Sequence, residues 1–408
     1  MNKLWGGFFL VAFVGAMWQW LGMGNLDVFS KMMTAIFDMA KLSIEIALGL
    51  VGLLCFWMGM LKLAESSGLL DGLSRLFLPL FHRLMPDLPR HHPAFGHITM
   101  NMAANLFGLD NAATPAGIKA MESMQEVNPK KDEASNAQIL FLVINTSSVT
   151  LFPVTILMYR AQLGAAQPAD VFVPILLATS ASTLVGLGVV ALVQKINIFN
   201  RVVMSYAAIA LACLAGIIGL FHSLSPEEMT QLSSAIGNGV LLLAVTSFVG
   251  LAMVKRVPVY DEFIAGAKHG FELAVKIMPY LVAMLVAIGL LRASGVLELV
   301  LHGVGSIFGL MGADLRFIDA LPTGIMNPFS GSGARALMLE TMNTHGVDSF
   351  AGRLAAVFQG STETTFYVLA VYFGAVNIRR LRHAIGCGLA ADLAGIVAAI
   401  VVSYWFFS

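Results

Sequence analysis

Asn101-Met-Ala-Ala-Asn-Leu-Phe-Gly-Leu-Asp-Asn-Ala-Ala-Thr-Pro115 and Leu321-Pro-Thr-Gly-Ile-Met-Asn-Pro-Phe-Ser-Gly-Ser-Gly-Ala-Arg335 are polar, Gly- and Pro-bearing stretches in an otherwise apolar chain. Each is followed by a second polar cluster inside an apolar run: Asn145-Thr-Ser-Ser148 and Gln359-Gly-Ser-Thr-Glu-Thr-Thr365. In hydrocarbon an unpaired backbone group costs several kcal/mol, so irregular backbone is tolerated only against protein or a wet cavity. Broken segments at matching places in two halves of a chain point to the binding site of a secondary transporter.

The surrounding composition fits that setting. The chain is 58% hydrophobic and 12% charged, with a mean hydropathy of +0.81. Soluble domains carry roughly 25% charge. These values predict an all-α polytopic membrane protein, and the alternating ten-residue pattern of a membrane barrel is absent. Formal net charge is zero, so no nucleic-acid partner is expected. Cys55, Cys213 and Cys387 lie far apart in apolar runs and read as small core residues. His91, His92 and His97 fit no standard zinc spacing. No P-loop, nucleophile elbow or HExxH motif occurs. The chain therefore reads as non-enzymatic, with no metal and no cofactor.

Stretches of about 20 apolar residues predict nine spans: 5–23, 44–63, 137–160, 171–194, 203–221, 235–254, 272–293, 352–374 and 384–406. The first is read as an uncleaved span, since it is long for a signal core and Trp18-Gln-Trp20 is a poor cleavage site. Regions 93–122 and 316–342 hold too many Gly, Pro and Asn for lipid-facing helices. They are expected to be re-entrant hairpins or broken helices. Lys and Arg mark the cytoplasmic side. Arg75, Arg83 and Arg90, then Lys130 and Lys131, Lys195 and Arg201, Lys255 and Arg256, and Arg379, Arg380 and Arg382 all fit an N-terminus inside and a C-terminus outside.

The order of elements occurs twice. Ala64-Glu-Ser-Ser-Gly-Leu-Leu70 aligns with Leu291-Arg-Ala-Ser-Gly-Val-Leu297 at the close of a span. A broken segment, a polar cluster and a small-residue span follow in each half. The closing spans hold Ala178-Thr-Ser-Ala-Ser-Thr183 and Cys387-Gly-Leu-Ala-Ala-Asp392. The charge bias inverts one half relative to the other. The expected organisation is an N-terminal span and linker (1–40), a first repeat (41–202), a helical hairpin connector (203–265) and a second repeat (266–408).

Inverted repeats place the substrate near the midplane. The candidate substrate-binding residues are Asn101, Asn105, Asn111, Thr114, Asn145, Thr146 and Ser147 in the first repeat. In the second they are Asn327, Ser330, Ser332, Gln359, Ser361, Thr362 and Glu363. Amides and hydroxyls both donate and accept hydrogen bonds. Pro115 is expected in the first turn of a helix capped by Thr114. Glu363 is the sharpest single residue, because an intramembrane carboxylate is a functional candidate by default. It is read as a coupling site for H+ or Na+, or as an ion-pair partner of Arg335. Asp392 is a further coupling candidate, and Asp110 and Glu340 stand behind it. Glu65, Lys62 and Arg292 are read as snorkelling, Lys119 and Arg160 as interfacial.

These clusters resemble the bacterial spore maturation proteins A and B joined end to end. Asn101–Met121, Asn145-Thr-Ser-Ser148, Pro153 and Arg160 look like the A protein. Leu321-Pro-Thr323, Ser330-Gly-Ser-Gly-Ala334, Gln359 to Tyr367 and Arg379–His383 look like the B protein. Both belong to the nucleoside-recognition or gate domain family, shared with nucleoside transporters and the membrane gate of the ferrous-iron transporter. The resemblance implies an integral inner-membrane protein with two gate domains, and the fused form implies a Gram-negative host that need not sporulate.

Two functions follow as expectations. The first is a secondary transporter of a small polar or anionic solute, with a site between the inverted repeats. The second is a non-transporting membrane scaffold or partner-regulated gate, with Arg75, Arg83, His91 and His92 as a cytoplasmic docking face. Expected partners are the lipid bilayer, a small solute and a coupling H+ or Na+. A homo-oligomer stays open.

Overall fold

The computed structural model describes residues 2–107, 110–147, 149–310, 312 and 314–408, and not the side chains of 2–4 and 110–112. The protein is an all-α polytopic membrane protein. In chain order its helices are α1 (Asn2–Met23), α2 (Val28–Ser66), α3 (Leu69–Leu84), α4 (Ala94–Leu106), α5 (Asp110–Glu126), α6 (Asn136–Thr146), α7 (Val154–Gln162), α8 (Phe172–Gln194) and α9 (Arg201–Phe221). They continue with α10 (Pro226–Val254), α11 (Val259–Ala293), α12 (Val296–Leu310), α13 (Leu321–Met326), α14 (Gly331–His345), α15 (Phe350–Ser361), α16 (Thr365–Ala375) and α17 (Ala384–Phe407). Among the described residues, seven are long and apolar enough to cross a membrane: α1, α2, α8 with its preceding 3-10 turn, α9, α10, α11 and α17.

Two of the nine expected spans are interrupted. The stretch 137–160 is α6 and α7, with non-helical backbone between them, and 352–374 is α15 and α16. In the first, Pro153 lacks an N–H and pushes Phe152 out of the helical region. In the second, Thr362, Thr364 and Thr365 are β-branched, and their hydroxyls compete for backbone groups. Thr364 is the extended N-cap of α16. The expected spans 44–63 and 272–293 lie inside the longer α2 and α11. Region 93–122 is a hairpin of α4 on α5. Pro115 sits inside α5 and not in the first turn of a Thr114-capped helix.

The chain divides into two compact units, each drawing on both repeats. One comprises Met1–Met58, Thr155–Pro168 and Ala267–Gln359, the other Gly59–Val154, Ala169–Gly266 and Gly360–Ser408. At each interruption the chain changes unit. The half-helix α7 leaves the elements around α6, and α16 leaves those around α15. In the first unit, α1 packs against α12, and Ala12, Ala16, Val28, Met32 and Leu290 form a small core. In the second, α17 runs along α8, and both pack on α6. There α16 packs on α5, α6 and α17, and Phe141, Ile98, Met121, Tyr372 and Phe373 fill the core.

Matching contacts hold the exchanged half-helices. Ser135 caps α6 in a capping box with Gln138. Ser349 Oγ accepts from Gly352 N (3.0 Å) at the start of α15. Beside the first cap, the N–H groups of Arg379 and Arg380 donate to the Asp132 carbonyl (3.0 and 2.9 Å) just after α16. Arg380 and Arg382 also pair with Glu133. Beside the second cap, Arg160 at the end of α7 donates to the Pro168 and Val347 carbonyls (3.1 and 3.0 Å) and to Asp348 Oδ1 (3.1 Å). Thus in both units an arginine at the end of a visiting half-helix, or just after it, ties to an acidic residue ahead of the resident one. Arg160 is fully buried, not interfacial.

Replacing Arg160 with Met strips two half-buried carbonyls and Asp348 of their donor. The expected cost is about 2–4 kcal/mol, read as a lower midpoint of thermal unfolding in detergent. Arg380→Ala removes an exposed guanidinium, and exposed pairs contribute about 1 kcal/mol or less. Equal midpoints for the two variants contradict the anchoring role of Arg160.

Candidate functional site

The second unit gathers polar side chains from α4, α6 and α16 into one network. Asn101 is fully buried on α4. Its Nδ2 donates to the Ala113 carbonyl (2.7 Å) and to Tyr372 Oη (3.1 Å). One turn on, Asn105 Nδ2 donates to Asn101 Oδ1 (3.3 Å) and to Asn145 Oδ1 (2.8 Å). Tyr372 Oη donates to the same Asn145 oxygen (3.4 Å), and Asn145 Nδ2 donates to the Phe141 carbonyl (2.8 Å). Asparagines one turn apart share a helix face, which is why α4 presents both. Asn105, half-buried, is the more accessible end of this network.

Gly117 makes this arrangement possible. A Cβ at that position would collide with the Tyr372 hydroxyl and ring. Only a residue without a side chain lets α5 approach α16 so closely.

Next to this network the two interruptions meet. Glu363 N donates to the Thr146 carbonyl (2.9 Å). Thr146 ends α6, and its carbonyl is one of the groups a helix leaves unpaired at its C-terminus. Glu363 lies just before the N-cap of α16. Thr183 on α8 donates to the Ser147 carbonyl, so the next orphan acceptor is also satisfied. On the far side, Thr365 Oγ1 donates to Asp392 Oδ2 (2.7 Å) on α17. Gly388 lets α17 come this close, since a Cβ there would stand 2.9 Å from Thr365 Cγ2. The Thr364 side chain makes no cap hydrogen bond at the start of α16. The Glu363 side chain is exposed, whereas Ser361, Thr362 and Asp392 are buried.

The first unit holds the second-repeat candidates. Ser330 caps α14, its Oγ accepting from Gly333 N (3.0 Å), and lies 3.3 Å from Ser332 Oγ. Asn327 Nδ2 donates to the Phe358 carbonyl (3.3 Å). Thr323 Oγ1 and Gln359 Oε1 are buried with no hydrogen-bond partner among the described residues. The Arg335 guanidinium lies over the Tyr159 ring, 5.8 Å from its centroid. Arg292 does not snorkel: it pairs with Glu298 and with buried Glu340.

Thus the structure joins Asn101, Asn105 and Asn145 in one network, and sets Thr146, Ser147, Thr362, Glu363 and Asp392 around the adjoining interruption. Thr114 is half-buried on α5. The side chain of Asn111, and Gly108, Leu109 and Ser148 of the quoted motifs, lie outside the described residues. Tyr372, Gly117 and Thr183 are additions. Tyr372 falls in a run that reads as plain apolar span. Its one signal is a hydroxyl that needs a partner when buried.

The family model for nucleoside recognition, named Gate, matches residues 47–162 and 274–379. The chain belongs to the Gate family. The two matched stretches lie in the two repeats, and each contains one interrupted span. The Gate chain is 44% identical to spore maturation protein A of Bacillus subtilis over 179 residues, covering 44% of this chain and 88% of that protein. It is also 44% identical to spore maturation protein B of the same organism over 149 residues, 36% of this chain and 82% of that protein. It is therefore a fusion of an A-like and a B-like Gate protein. No solved structure matches it.

Gly117→Val is expected to displace Tyr372 and open the asparagine network, costing about 1–3 kcal/mol as overpacking. Tyr372→Phe removes only the hydroxyl and should cost about 1 kcal/mol. Unfolding midpoints of both variants in detergent check this. A Gly117→Val protein as stable as the parent contradicts the close approach of α5 and α16.

Proposed function

We propose that this Gate protein is a secondary transporter of a small polar or anionic solute. The observation that carries the reading is the contact between the two interruptions, Glu363 N–H on the Thr146 carbonyl, beside the asparagine network. Irregular backbone inside a membrane bundle belongs where it is buried in protein or lines a water-filled path. Paired interrupted helices in inverted repeats are the arrangement that binds solutes in such proteins. The chemistry on offer is amide, hydroxyl and the N-terminal end of α16. It suits hydrogen-bonding solutes and anions. Asn105, Asn145, Thr362 and Glu363 are the first residues assigned to solute contact. The family name adds nucleosides to the panel to be tried.

The positive-inside bias supports an inner-membrane location with the N-terminus in the cytoplasm and the C-terminus in the periplasm. A thiol reagent that cannot cross the membrane should label Ser225→Cys from the periplasm and leave Arg380→Cys protected in intact cells. The opposite pattern reverses the topology.

Reconstituted protein should take up one or more labelled nucleosides or small polar anions faster than empty liposomes. Asn145→Ala and Glu363→Gln should each lower that uptake by about tenfold or more, the equivalent of one lost hydrogen bond to the solute. If folded protein moves no member of the panel and co-purifies with a stoichiometric cytoplasmic partner, the scaffold reading replaces this one.

A further inference from the structure

α17 carries one charged side chain, Asp392, and it sits midway along an apolar membrane span. Asp392 is 2% exposed. Its Oδ2 accepts from Thr365 Oγ1 at 2.7 Å, and its Oδ1 is buried with no hydrogen-bond partner among the described residues. The elements packed against α17 are α6, α8, α10 and α16. α6 and α8 carry no titratable side chain. α16 brings Tyr367, which is exposed, and Tyr372, which belongs to the asparagine network. α10 brings Glu227 and Glu228 in its first turn. α17 itself adds Cys387 and Tyr404, and the adjoining interruption adds exposed Glu363. None of these is a cation.

A buried carboxylate without a counter-charge costs several kcal/mol, and such a group neutralises instead. Against that, a donated hydrogen bond and the N-terminal end of a helix favour the ionised form. Asp392 has both of the latter at Thr365 and the former all around it. Burial and hydrogen bonding therefore act on this carboxyl in opposite directions.

The first repeat supplies a comparison. Thr183 stands at the matching place on α8 and ties it to the first interruption. Its hydroxyl donates to the Ser147 and Thr179 carbonyls. A neutral hydroxyl therefore suffices to join a closing span to a helix interruption. The carboxyl in the second repeat exceeds what that tie requires, and its spare oxygen is what a hydroxyl lacks.

We propose that Asp392 is a proton-binding site, taking up and releasing one proton at the junction of α16 and α17. Uptake adds a proton to one carboxylate oxygen and removes one negative charge; release returns the proton to water. Neutral Asp392 gains an O–H donor on Oδ1. The Ser361 carbonyl lies against Gly395 on the same face of α17, so protonation alters the bonding available where α15 ends. The site goes beyond the transport reading, since it requires no moving solute.

Infrared difference spectroscopy of the full-length protein in lipid nanodiscs, across a pH series, tests this. The parent should show a protonated-carboxyl band at neutral pH that disappears reversibly in alkaline buffer. Asp392→Asn should lack that band and Glu363→Gln should keep it. Thr365→Val should move it to higher frequency, because the hydroxyl on the carboxyl is gone. The Thr365→Val shift assigns the band even where Asp392→Asn does not fold. Absence of the band at neutral pH, its survival in Asp392→Asn, or its persistence at every pH overturns the proposal. An unchanged frequency in Thr365→Val also does so.

Discussion

Everything in this fold turns on the need of a backbone group in hydrocarbon for a partner. A continuous helix meets that need internally, so each interruption creates unpaired donors and acceptors that have to be answered nearby. Here the Thr146 carbonyl at the end of α6 is answered by Glu363 N–H ahead of α16, and the Ser147 carbonyl by the Thr183 hydroxyl. The C-terminal end of one half-helix thus meets the approach to the N-terminal end of another, a pairing the helix dipoles favour. The interruptions are not defects covered by packing. The approach to α16 answers the broken end of α6.

The chain changes unit at each interruption, so neither repeat is a structural unit. α16 packs with α5 and α6, and Arg160 in the last turn of α7 lies beside the residues that precede α15. Acidic residues before each resident half-helix and arginines at or just after the end of each visitor repeat the same solution twice. Polar side chains then collect where the backbone is irregular, because the alternative is an unsatisfied group in a dry environment.

Much of this was legible in the sequence. Clusters of Asn, Thr, Ser and Gln inside apolar runs marked the polar residues beside both interruptions, although the breaks themselves were expected at 93–122 and 316–342; the recurring order of elements located the repeat. What could not be read was which half-helix joins which. Hydropathy over 137–160 and 352–374 is that of ordinary spans, so these read as unbroken, although Pro153 and the run from Ser361 to Thr365 are enough to end a helix. Arg160 looked interfacial because its partners, Val347 and Asp348, lie in the other repeat. Tyr372 went unmarked because the asparagines that engage it, Asn101 and Asn145, lie far away in sequence. Periodicity reports the face a residue occupies, not the element that face will meet.

The central claim is that the two interruptions touch and that this contact shapes the solute site. The most direct measurement is disulfide formation between Thr146→Cys and Glu363→Cys in protein lacking Cys55, Cys213 and Cys387, combined with solute uptake before and after oxidation. The account predicts rapid intramolecular cross-linking in membranes, with uptake blocked on oxidation and restored by a reductant. A pair that fails to cross-link, or one that cross-links and leaves uptake unchanged, contradicts it.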